Sequence, residues 1–302
     1  MSRILITGAE GFTGHYLAKE LQARGHEVHG LVLGAPIAAA DARMAYLSHT
    51  HVCDLLDGAA LARLIHAVRP DKVAHLAGIA FVGHGDAEAF YRVNIVGTRN
   101  LLAALAGGSA PPSAVLLASS ANVYGNAAEG VLDESVRPAP ANDYAVSKLA
   151  MEYMARTWQD RLPITIVRPF NYTGVGQPED YLLPKIVAHF RRRAPAIELG
   201  NLDVERDFSD VRTVAEVYRR LLERPATQQV LNVCSGRGES LRSLFEMMCE
   251  MAGYQPQVRI NPAFVRANEV RRLLGDKAEL ERCIGPVEGP SIKETLAWMF
   301  HA

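Results

Sequence analysis

A tyrosine and a lysine four residues apart, Tyr144 and Lys148, are the pair in this sequence with the clearest chemical potential. They open a predicted helix that Asn142 or Asp143 can cap, and side chains at i and i+4 lie on one helix face. A lysine ammonium near a phenol stabilises the phenolate and lowers the tyrosine pKa from about 10. Such a phenol can give a proton to a developing alkoxide or take one from a sugar hydroxyl. The pattern is common by chance, so its meaning depends on the motifs around it.

A glycine-rich turn lies near the start of the chain. The apolar run Arg3–Thr7 predicts a buried strand, and glycines spaced G-x-x-G-x-x-G follow it before a helical pattern. The first glycine of such a turn permits the tight bend, the second lets backbone approach a pyrophosphate, and the third lets helix pack on strand. The N–H groups of the helix start then meet the phosphates. The predicted coenzyme contacts in this turn are Gly8, Gly11, Phe12, Thr13 and Gly14.

Strand and helix patterns alternate through the first half of the chain, which predicts an α/β fold with a doubly wound parallel sheet. Ligands bind such sheets at the carboxyl ends of the strands. Ser120 follows a predicted strand, so it should converge with the Tyr144 helix on the nicotinamide end. The further coenzyme contacts predicted here, besides Tyr144 and Lys148, are Asp54, Leu55, Leu76, Ala77, Gly78, Asn94 and Pro169.

Three of these assignments stay open. Asp54 could instead cap the next helix, and Asn94 could be a satisfied polar residue between helix and sheet. An acidic residue at the end of the second strand would bind the ribose 2′-hydroxyl of NAD, and an arginine would suit NADP. Residues 31–34 read Leu-Val-Leu-Gly and contain neither. The missing carboxylate slightly favours NADPH, and Arg43 could reach a 2′-phosphate or be a surface charge, so the predicted cofactor is NADP(H) or NAD(H).

Three motifs together resemble the extended short-chain dehydrogenase/reductase family of nucleotide-sugar epimerases, dehydratases and reductases. They are Gly8-x-x-Gly11-x-x-Gly14, Ser119-Ser120-x-x-Val123-Tyr124-Gly125 and Tyr144-x-x-x-Lys148. The resemblance covers nearly the whole chain. It implies a Rossmann domain over residues 1–170, rejoined by about 226–240, and a smaller, discontinuous nucleotide-sugar-binding domain over 171–225 and 241–302. It also implies that Tyr144 is the acid/base, that Lys148 binds the nicotinamide ribose, and that Ser120 bonds the reacting oxygen.

Two positions after Ser120 narrow the reaction that this resemblance implies. Dehydratases of the family carry an acidic pair there, which removes a C5 proton and expels the C6 hydroxyl, whereas this chain has Ala121 and Asn122. Water elimination is therefore disfavoured, and hydride transfer at a carbonyl carbon remains. Segments 168–177, 200–211 and 232–236 resemble the branch that reduces GDP-4-keto-6-deoxy-D-mannose to GDP-D-rhamnose. That branch commonly has histidine where this chain has Tyr172, so 4-keto-reductases that form the C4 epimer, a GDP-6-deoxy-talose-type product, stay open.

A nucleoside diphosphate sugar carries two phosphate charges, and guanidinium groups bind phosphate in a fork. Arg206 and Arg266 are predicted for this role, while Glu269 could accept hydrogen bonds from guanine or ribose. The alternatives are ion pairs of Arg206 with Asp207 or Asp210, and of Arg266 with Glu269. The predicted substrate contacts are Ser120, Asn122, Asn171, Lys185, Arg206, Arg266 and Glu269.

The 302 residues are 49% hydrophobic and 22% charged with net charge −1, an ordinary soluble composition that gives no support for nucleic-acid or membrane binding. The ten histidines show no metal-ligand spacing, and the four cysteines lie far apart, so no metal site and free thiols in the cytoplasm are expected. The family resemblance also suggests a homodimer through helices over 87–105 and 144–158.

The leading hypothesis is reduction of the C4 ketone of a GDP-4-keto-6-deoxy-hexose by NAD(P)H. A UDP- or dTDP-hexose 4-epimerase that retains NAD is the alternative within enzymes. A coenzyme-sensing protein without turnover is the alternative outside them, and the presence of both Tyr144 and Lys148 disfavours it.

Overall fold

The computed structural model describes residues 1–34, 44–80, 85–108, 110–126, 129–226, 229–264 and 270–302. The strands are β1 (Arg3–Thr7), β2 (Glu27–Val32), β3 (His49–Val52), β4 (Lys72–His75), β5 (Ala114–Ala118), β6 (Gly130–Leu132), β7 (Ile164–Pro169), β8 (Asn171–Thr173), β9 (Ala196–Leu199), β10 (Glu205–Asp210), β11 (Val230–Val233), β12 (Gly238–Ser240), β13 (Gln257–Ile260) and β14 (Arg272–Gly275). The α-helices are α1 (Phe12–Ala23), α2 (Gly58–Val68), α3 (Ala87–Tyr91), α4 (Thr98–Ala106), α5 (Asp143–Arg156), α6 (Leu182–Arg191), α7 (Val211–Glu223), α8 (Leu241–Ala252), α9 (Ala278–Ile284) and α10 (Ile292–His301).

A seven-stranded parallel sheet in the order β11-β7-β5-β4-β1-β2-β3 forms the centre of the molecule. Both of its faces are covered, which the side-chain alternation of β1 illustrates: Ile4 and Ile6 point into one core and Leu5 into the other. Near-continuous apolar runs are what a sheet buried on both faces requires. The predicted doubly wound α/β fold is confirmed, and β11 joins the sheet beside β7 as the sequence predicts.

The helical region predicted over 87–105 is divided into three parts. The short helix α3 is followed by a π-helical segment, Arg92–Gly97, and then by α4. π-Helical turns are rare and often lie at functional sites. This one contains Asn94, which is buried next to the site described below.

The second half of the chain adds two smaller sheets and a third core. One sheet has the order β12-β10-β14-β6, with β8 also paired to β10, and the other pairs β13 with β9. The core packs side chains of α6, α8 and α10 together, among them Phe190, Phe245 and Leu296. The predicted domain limits stay a prediction. Helices α7 and α9, which those limits assign to the smaller domain, contribute Val214, Tyr218 and Leu280 to one core of the large sheet.

Among the described residues, every helix is too short or too polar to cross a lipid bilayer.

Candidate active site

The structure places Ser120 at the carboxyl end of β5, close enough to Tyr144 to lower the pKa of its phenol. Ser120 caps a short 3₁₀ turn, Ala121–Tyr124, and its Oγ accepts the backbone N–H and the side-chain amide of Asn122, both at 3.1 Å. Since two donors occupy the acceptor side of this oxygen, the Ser120 hydroxyl hydrogen is left to be donated. Both Ser120 and Tyr144 are only 6% exposed. The site therefore presents a fixed hydroxyl donor beside a buried phenol.

Lys148 completes the catalytic group that the sequence predicts. Its Nζ donates to the Ala118 carbonyl oxygen at 2.8 Å. The ammonium also borders Gly78, because a Cβ placed on that glycine would lie 3.3 Å from Nζ. Burial lowers the pKa of Lys148 to about 8, and the nearby Glu152 carboxylate opposes this change. Lys148 thus lies between two strand ends, at the edge where ligands of such sheets bind.

The pKa of Tyr144 is raised in this structure, and the lowering effect expected of Lys148 stays a prediction. Burial raises the pKa of Tyr144, the Ser120 hydrogen bond lowers it, and the neighbouring Tyr172 and Tyr181 raise it further. In this structure Tyr144 is a protonated phenol and so a proton donor.

Helix α5 is held in place by its cap and by a buried carboxylate. Asn142, one of the two predicted caps, accepts the Ala145 N–H at 2.9 Å. Glu152 is fully buried; it accepts the Ser119 hydroxyl at 2.6 Å and the Nε–H and Nη2–H groups of Arg168 at 2.9 and 2.7 Å. These bonds tie α5 to the ends of β5 and β7. The sequence analysis missed Glu152, although its position four residues after Lys148 placed it on the same helix face.

The glycine turn has the shape that a pyrophosphate requires. Gly8 has φ +70°, and a Cβ there would lie 2.8 Å from the Ala77 Cα, while a Cβ on Gly14 would lie 2.3 Å from the Gly8 carbonyl oxygen. Helix α1 begins after Gly11 without a side-chain cap, so its first N–H groups are available to an anion. The predicted neighbours Phe12 and Thr13 form the first turn of that helix. The residues therefore fit a dinucleotide phosphate.

A chain of hydrogen bonds holds the carboxyl end of β4 in place. His75 Nδ1 lies 2.7 Å from Thr7 Oγ1 and its Nε2 lies 2.8 Å from Thr98 Oγ1. Thr7 Oγ1 also accepts the Ala77 N–H at 3.2 Å, and Thr98 Oγ1 donates to the Asn94 carbonyl at 2.7 Å. Burial lowers the pKa of His75 to about 3, so the ring is neutral. Each hydrogen shared between His75 and the two threonines can then be donated in only one direction. The backbone that follows β4 is thereby fixed.

Asn94 positions the site through its own side-chain amide. Its Oδ1 accepts the Ile79 N–H at 3.0 Å, and its Nδ2 donates to the Ile79 carbonyl at 3.2 Å and to Ser147 Oγ at 3.0 Å. These bonds match the alternative reading of a satisfied polar residue between helix and sheet. They also hold the backbone around Gly78 against α5. A direct contact of Asn94 with a coenzyme stays a prediction.

The remaining predicted coenzyme contacts lie at strand ends of the same sheet. Leu76 follows β4 and donates its N–H to the Thr7 carbonyl, and Pro169 ends β7. Leu55 is buried, while Asp54 is exposed and accepts the Leu56 N–H at 2.9 Å. The alternative role of Asp54 as a helix cap is wrong, because Asp57 caps α2. Contact of these residues with adenosine stays a prediction.

The Glu10 carboxylate lies at the end of β2, although Glu10 is not part of that strand. Glu10 lies in the glycine turn, and its Oε1 accepts the Leu33 N–H at 3.1 Å. Its Oε2 is buried without a hydrogen-bond partner among the described residues. Residues 31–34 themselves carry no acidic group, but the fold supplies one from the turn, so the argument for NADPH loses its basis. Arg43 lies outside the described residues.

Two aromatic residues connect the glycine turn to the second half of the chain. The Tyr172 hydroxyl lies 2.8 Å from Thr13 Oγ1, and its ring stacks on Phe12 at a centroid distance of 6.2 Å. Tyr172 and Tyr181 both influence the pKa of Tyr144, so they border the catalytic group. The position at which the sequence departs from the rhamnose-forming branch therefore contacts the first turn of α1, which follows the glycine turn.

Three of the predicted substrate contacts of the second half, Asn171, Lys185 and Arg206, lie among the described residues. Asn171 Nδ2 donates to the Asp207 carbonyl at 3.0 Å, and the Lys185 ammonium lies 4.3 Å from the centroid of the Phe264 ring. Arg206 donates to the carbonyl oxygens of Glu205 and Arg271 at 2.8 and 3.4 Å. Arg266 and Glu269 lie outside the described residues, so their roles stay predictions.

Asp207 and Asp210, the two carboxylates considered as ion-pair partners of Arg206, are bonded to other groups. Asp207 accepts backbone N–H groups of Ser235 and Gly236 at 2.8 and 2.9 Å. Asp210 is paired with Arg212, with a shortest N–O distance of 2.6 Å. Arg206 is thus directed to backbone carbonyls at the edge of β10.

A glycine-rich turn and a Ser-Tyr-Lys group at one edge of a parallel sheet are typical of oxidoreductases that use a nicotinamide coenzyme. Comparison with known proteins agrees with this class. Residues 5–299 match the family model described as GDP-mannose 4,6 dehydratase, so the chain belongs to that family of extended short-chain dehydrogenases/reductases. It is an NAD(P)-dependent oxidoreductase of the short-chain dehydrogenase/reductase superfamily.

Within the family, two relatives carry names with a defined reaction. GDP-6-deoxy-D-talose 4-dehydrogenase of Aggregatibacter actinomycetemcomitans is 34% identical over 94% of this chain and 91% of its own. GDP-6-deoxy-D-mannose reductase of Pseudomonas aeruginosa is 35% identical over 97% of this chain and 94% of its own.

Two solved structures resemble the fold over its whole length. A putative epimerase from Burkholderia cenocepacia superposes with a TM-score of 0.94 at 53% identity, covering 99% of this chain and 97% of that one. The structure of RMD from Pseudomonas aeruginosa complexed with NADPH gives 0.84 at 32% identity, covering 100% and 98%.

Proposed function

We propose that this protein uses NAD(P)H to reduce the C4 ketone of a GDP-4-keto-6-deoxy-hexose, with GDP-D-rhamnose or its C4 epimer as the product. The observation that carries the proposal is the grouping of Ser120, Tyr144 and Lys148, all three buried, at the sheet edge that also holds the glycine turn. The relatives named for GDP-6-deoxy-talose and GDP-6-deoxy-mannose support the GDP-sugar and the position of the reacting carbon.

The nicotinamide coenzyme supplies a hydride to C4 when it is bound. The protein stabilises and then neutralises the negative charge that develops on the C4 oxygen. Ser120 donates a hydrogen bond to the oxygen as it becomes an alkoxide, since Asn122 occupies the acceptor side of Ser120 Oγ. Tyr144 gives its proton to the same oxygen, and burial keeps this phenol protonated until then. Lys148 lies close to the proton that is transferred and stabilises the Tyr144 phenolate that remains.

Elimination of water is not part of this proposal, although the family takes its description from a dehydratase. The residues after Ser120 are Ala121, which is buried, and Asn122, which bonds Ser120. Neither can remove a C5 proton or protonate a departing C6 hydroxyl. The local chemistry therefore fits reduction or oxidation at C4 alone.

The choice of product is connected with Tyr172. Its ring stacks on Phe12, and its hydroxyl bonds Thr13 next to Tyr144. A phenol is longer than the imidazole that the rhamnose-forming branch commonly has here, so it changes the space on one side of the sugar ring. This difference keeps both C4 configurations within the proposal.

We propose that Glu10 favours NADH over NADPH. Its carboxylate lies at the end of β2, where an acidic group binds the ribose 2′-hydroxyl and repels a 2′-phosphate. One oxygen is fixed by Leu33 and the other has no partner among the described residues, which suits a hydroxyl donor.

We also propose a homodimer formed through the π-helical turn and α5. Large apolar side chains are exposed on these two elements, with Tyr153 at 57%, Val96 at 45% and Val146 at 38%. A second copy of the chain would cover them. Sedimentation of the wild type and of Tyr153→Asp would test this: the substitution should produce monomers.

The alternative is a 4-epimerase that retains NAD and needs no net reductant. The specific observation in its favour is the similarity, at 53% identity, to the Burkholderia cenocepacia protein that is described as a putative epimerase. An epimerase must let the keto sugar rotate, whereas a reductase binds it in one orientation.

A substrate panel tests the proposal. The purified protein is incubated with GDP-, UDP- and dTDP-4-keto-6-deoxy sugars and each coenzyme, and separately with UDP- and dTDP-hexoses, and products are identified by NMR. We expect a GDP-6-deoxy-hexose to form as NAD(P)H is consumed. A C4 epimer of a UDP- or dTDP-hexose without coenzyme consumption would support the epimerase instead, and no product with any sugar would remove both.

A further inference from the structure

Three ligand-type side chains meet at the amino end of the large sheet, away from the catalytic group. Glu27 and His29 lie two residues apart on β2, and His49 opens the edge strand β3 directly opposite His29. Side chains of alternate strand residues share a face, so all three point to the same side of the sheet. Glu27 Oε1 lies 3.0 Å from His29 Nε2 and 3.4 Å from His49 Nε2.

These distances are close to those between ligands of a small metal ion. The three ligand atoms all lie within 4.8 Å of one another. Two ligand atoms bound to zinc at roughly 2.1 Å with a tetrahedral angle are roughly 3.4 Å apart. The observed separations from Glu27 therefore need changes of only a few tenths of an ångström.

The surroundings orient the three ligands. His29 is buried, and its Nδ1 lies 2.9 Å from Nε2 of His51, the next residue on the same face of β3. Arg3 of β1 donates to the second oxygen of Glu27 at 3.4 Å. Outer partners of this kind fix the ring orientation of a ligating histidine and the direction of a ligating carboxylate.

We propose that Glu27, His29 and His49 bind one divalent transition-metal ion of the zinc class, with water as the fourth ligand. Imidazole and carboxylate are the ligand set of such ions, whereas magnesium and calcium prefer oxygen alone. The His49 side chain is 56% exposed, so solvent reaches the open side of the site. Sequence spacing does not show the site, because its ligands come from two strands whose pairing is set by the fold.

The consequence of binding is structural rather than catalytic. Strand β3 is the edge of the sheet, and three of its four residues are exposed. An ion held between β2 and β3 would attach that edge strand more firmly. The strands are parallel, so the glycine turn and Tyr144 lie at their opposite ends, roughly 15–20 Å away for strands of this length. Metal binding should raise the melting temperature and leave ketone reduction unchanged.

Calorimetric titration tests this with tag-free protein that has been treated with a chelator and returned to chelator-free buffer. We expect one Zn²⁺ per chain, a higher melting temperature, and visible absorption typical of tetrahedral Co²⁺ when cobalt replaces zinc. His49→Asn and Glu27→Gln should abolish binding. His51→Asn, which loses only an outer partner, should weaken it roughly 10–100-fold.

His66→Asn is the matched control, since His66 is an exposed histidine on the surface of α2. It should bind zinc as the wild type does. His49 is exposed, so its replacement leaves the core untouched, and circular dichroism verifies that the variant is folded. Absence of stoichiometric binding, or binding that survives His49→Asn, would overturn the proposal.

Discussion

The proposed catalytic group and the proposed substrate-side group of this molecule are built in opposite ways. Ser120, Tyr144 and Lys148 are at most 7% exposed, and Ser120 and Lys148 are hydrogen-bonded within the first half of the chain. Lys185 and Arg206 are only partly buried, and they contact an aromatic ring and backbone carbonyls.

This difference separates chemistry from recognition. Donors that are buried and fixed before substrate binds contribute most in the transition state, because they need no reorganisation as charge develops. Long cationic side chains at a surface can adjust to different phosphates and sugars. Changes in the catalytic group should therefore lower kcat with every substrate, while changes on the substrate side should raise KM in a way that depends on the nucleotide.

The largest effect is expected for Tyr144→Phe. Loss of the proton donor should lower kcat roughly 10²–10⁴-fold with little change in KM. Coenzyme oxidation followed with the keto sugar measures this. Tyr153→Phe is the matched control, because Tyr153 lies on the same helix but is 57% exposed. Wild-type activity in Tyr144→Phe would remove the phenol from the mechanism.

Lys148→Met should change the pH dependence of folding as well as abolish reduction. Burial lowers the pKa of Lys148 from 10.5 to about 8. The unfolded chain therefore binds more protons than the folded chain between these two values, so folding stability contributed by this group rises as pH increases. The wild type should gain stability relative to Lys148→Met over that window, by at most an amount on the order of 3 kcal/mol.

Denaturant unfolding at about pH 7.5 and at about pH 10 measures this gain in both proteins. Groups other than Lys148 titrate in both and cancel in the difference. A stability difference that does not change with pH would show that Lys148 is not desolvated as the structure indicates.

On the substrate side, Arg206→Ala should raise KM for the GDP sugar roughly 10–100-fold, as expected for lost charge-assisted hydrogen bonds. The value of kcat should change little. Arg242→Ala is the control, because Arg242 is a surface arginine that pairs with Asp203 at 2.9 Å. If kcat fell as steeply as in Tyr144→Phe, the separation of the two groups would be wrong.

The smallest effect is expected for Glu10→Gln. Removing the negative charge at the end of β2 should raise kcat/KM for NADPH relative to NADH several-fold, about the effect of losing one partly screened charge interaction. Initial rates with both coenzymes give this ratio. A ratio equal to that of the wild type would exclude Glu10 from coenzyme selection.

Much of the catalytic side could be predicted from the sequence, because its motifs are local. The glycine spacing lies within one strand–turn–helix unit, and Tyr144 and Lys148 lie within one helix turn. The meeting of Ser120 with Tyr144 also followed, since parallel strands bring their carboxyl ends to one edge.

What the sequence did not predict depends on contacts between distant segments. The pKa of Tyr144 follows from burial, which the local pattern of Tyr144 and Lys148 does not contain. Glu10 reaches Leu33 only because the turn folds against the end of β2. The three-residue strand β6 is identified only by its pairing with β14, about 140 residues later. Glu27 and the histidines meet through the register of two strands.

The central claim is that a hydride reaches C4 of a GDP-linked keto sugar while Tyr144 supplies the proton. Isotope transfer tests it most directly: NADH and NADPH, each deuterated in turn at either face of nicotinamide C4, are incubated with GDP-4-keto-6-deoxymannose, and the product is analysed by NMR. We predict that deuterium from one face appears at C4 of the 6-deoxy-hexose, with one coenzyme oxidised per product formed. Product without deuterium from either face, or turnover without net coenzyme oxidation, would contradict the account.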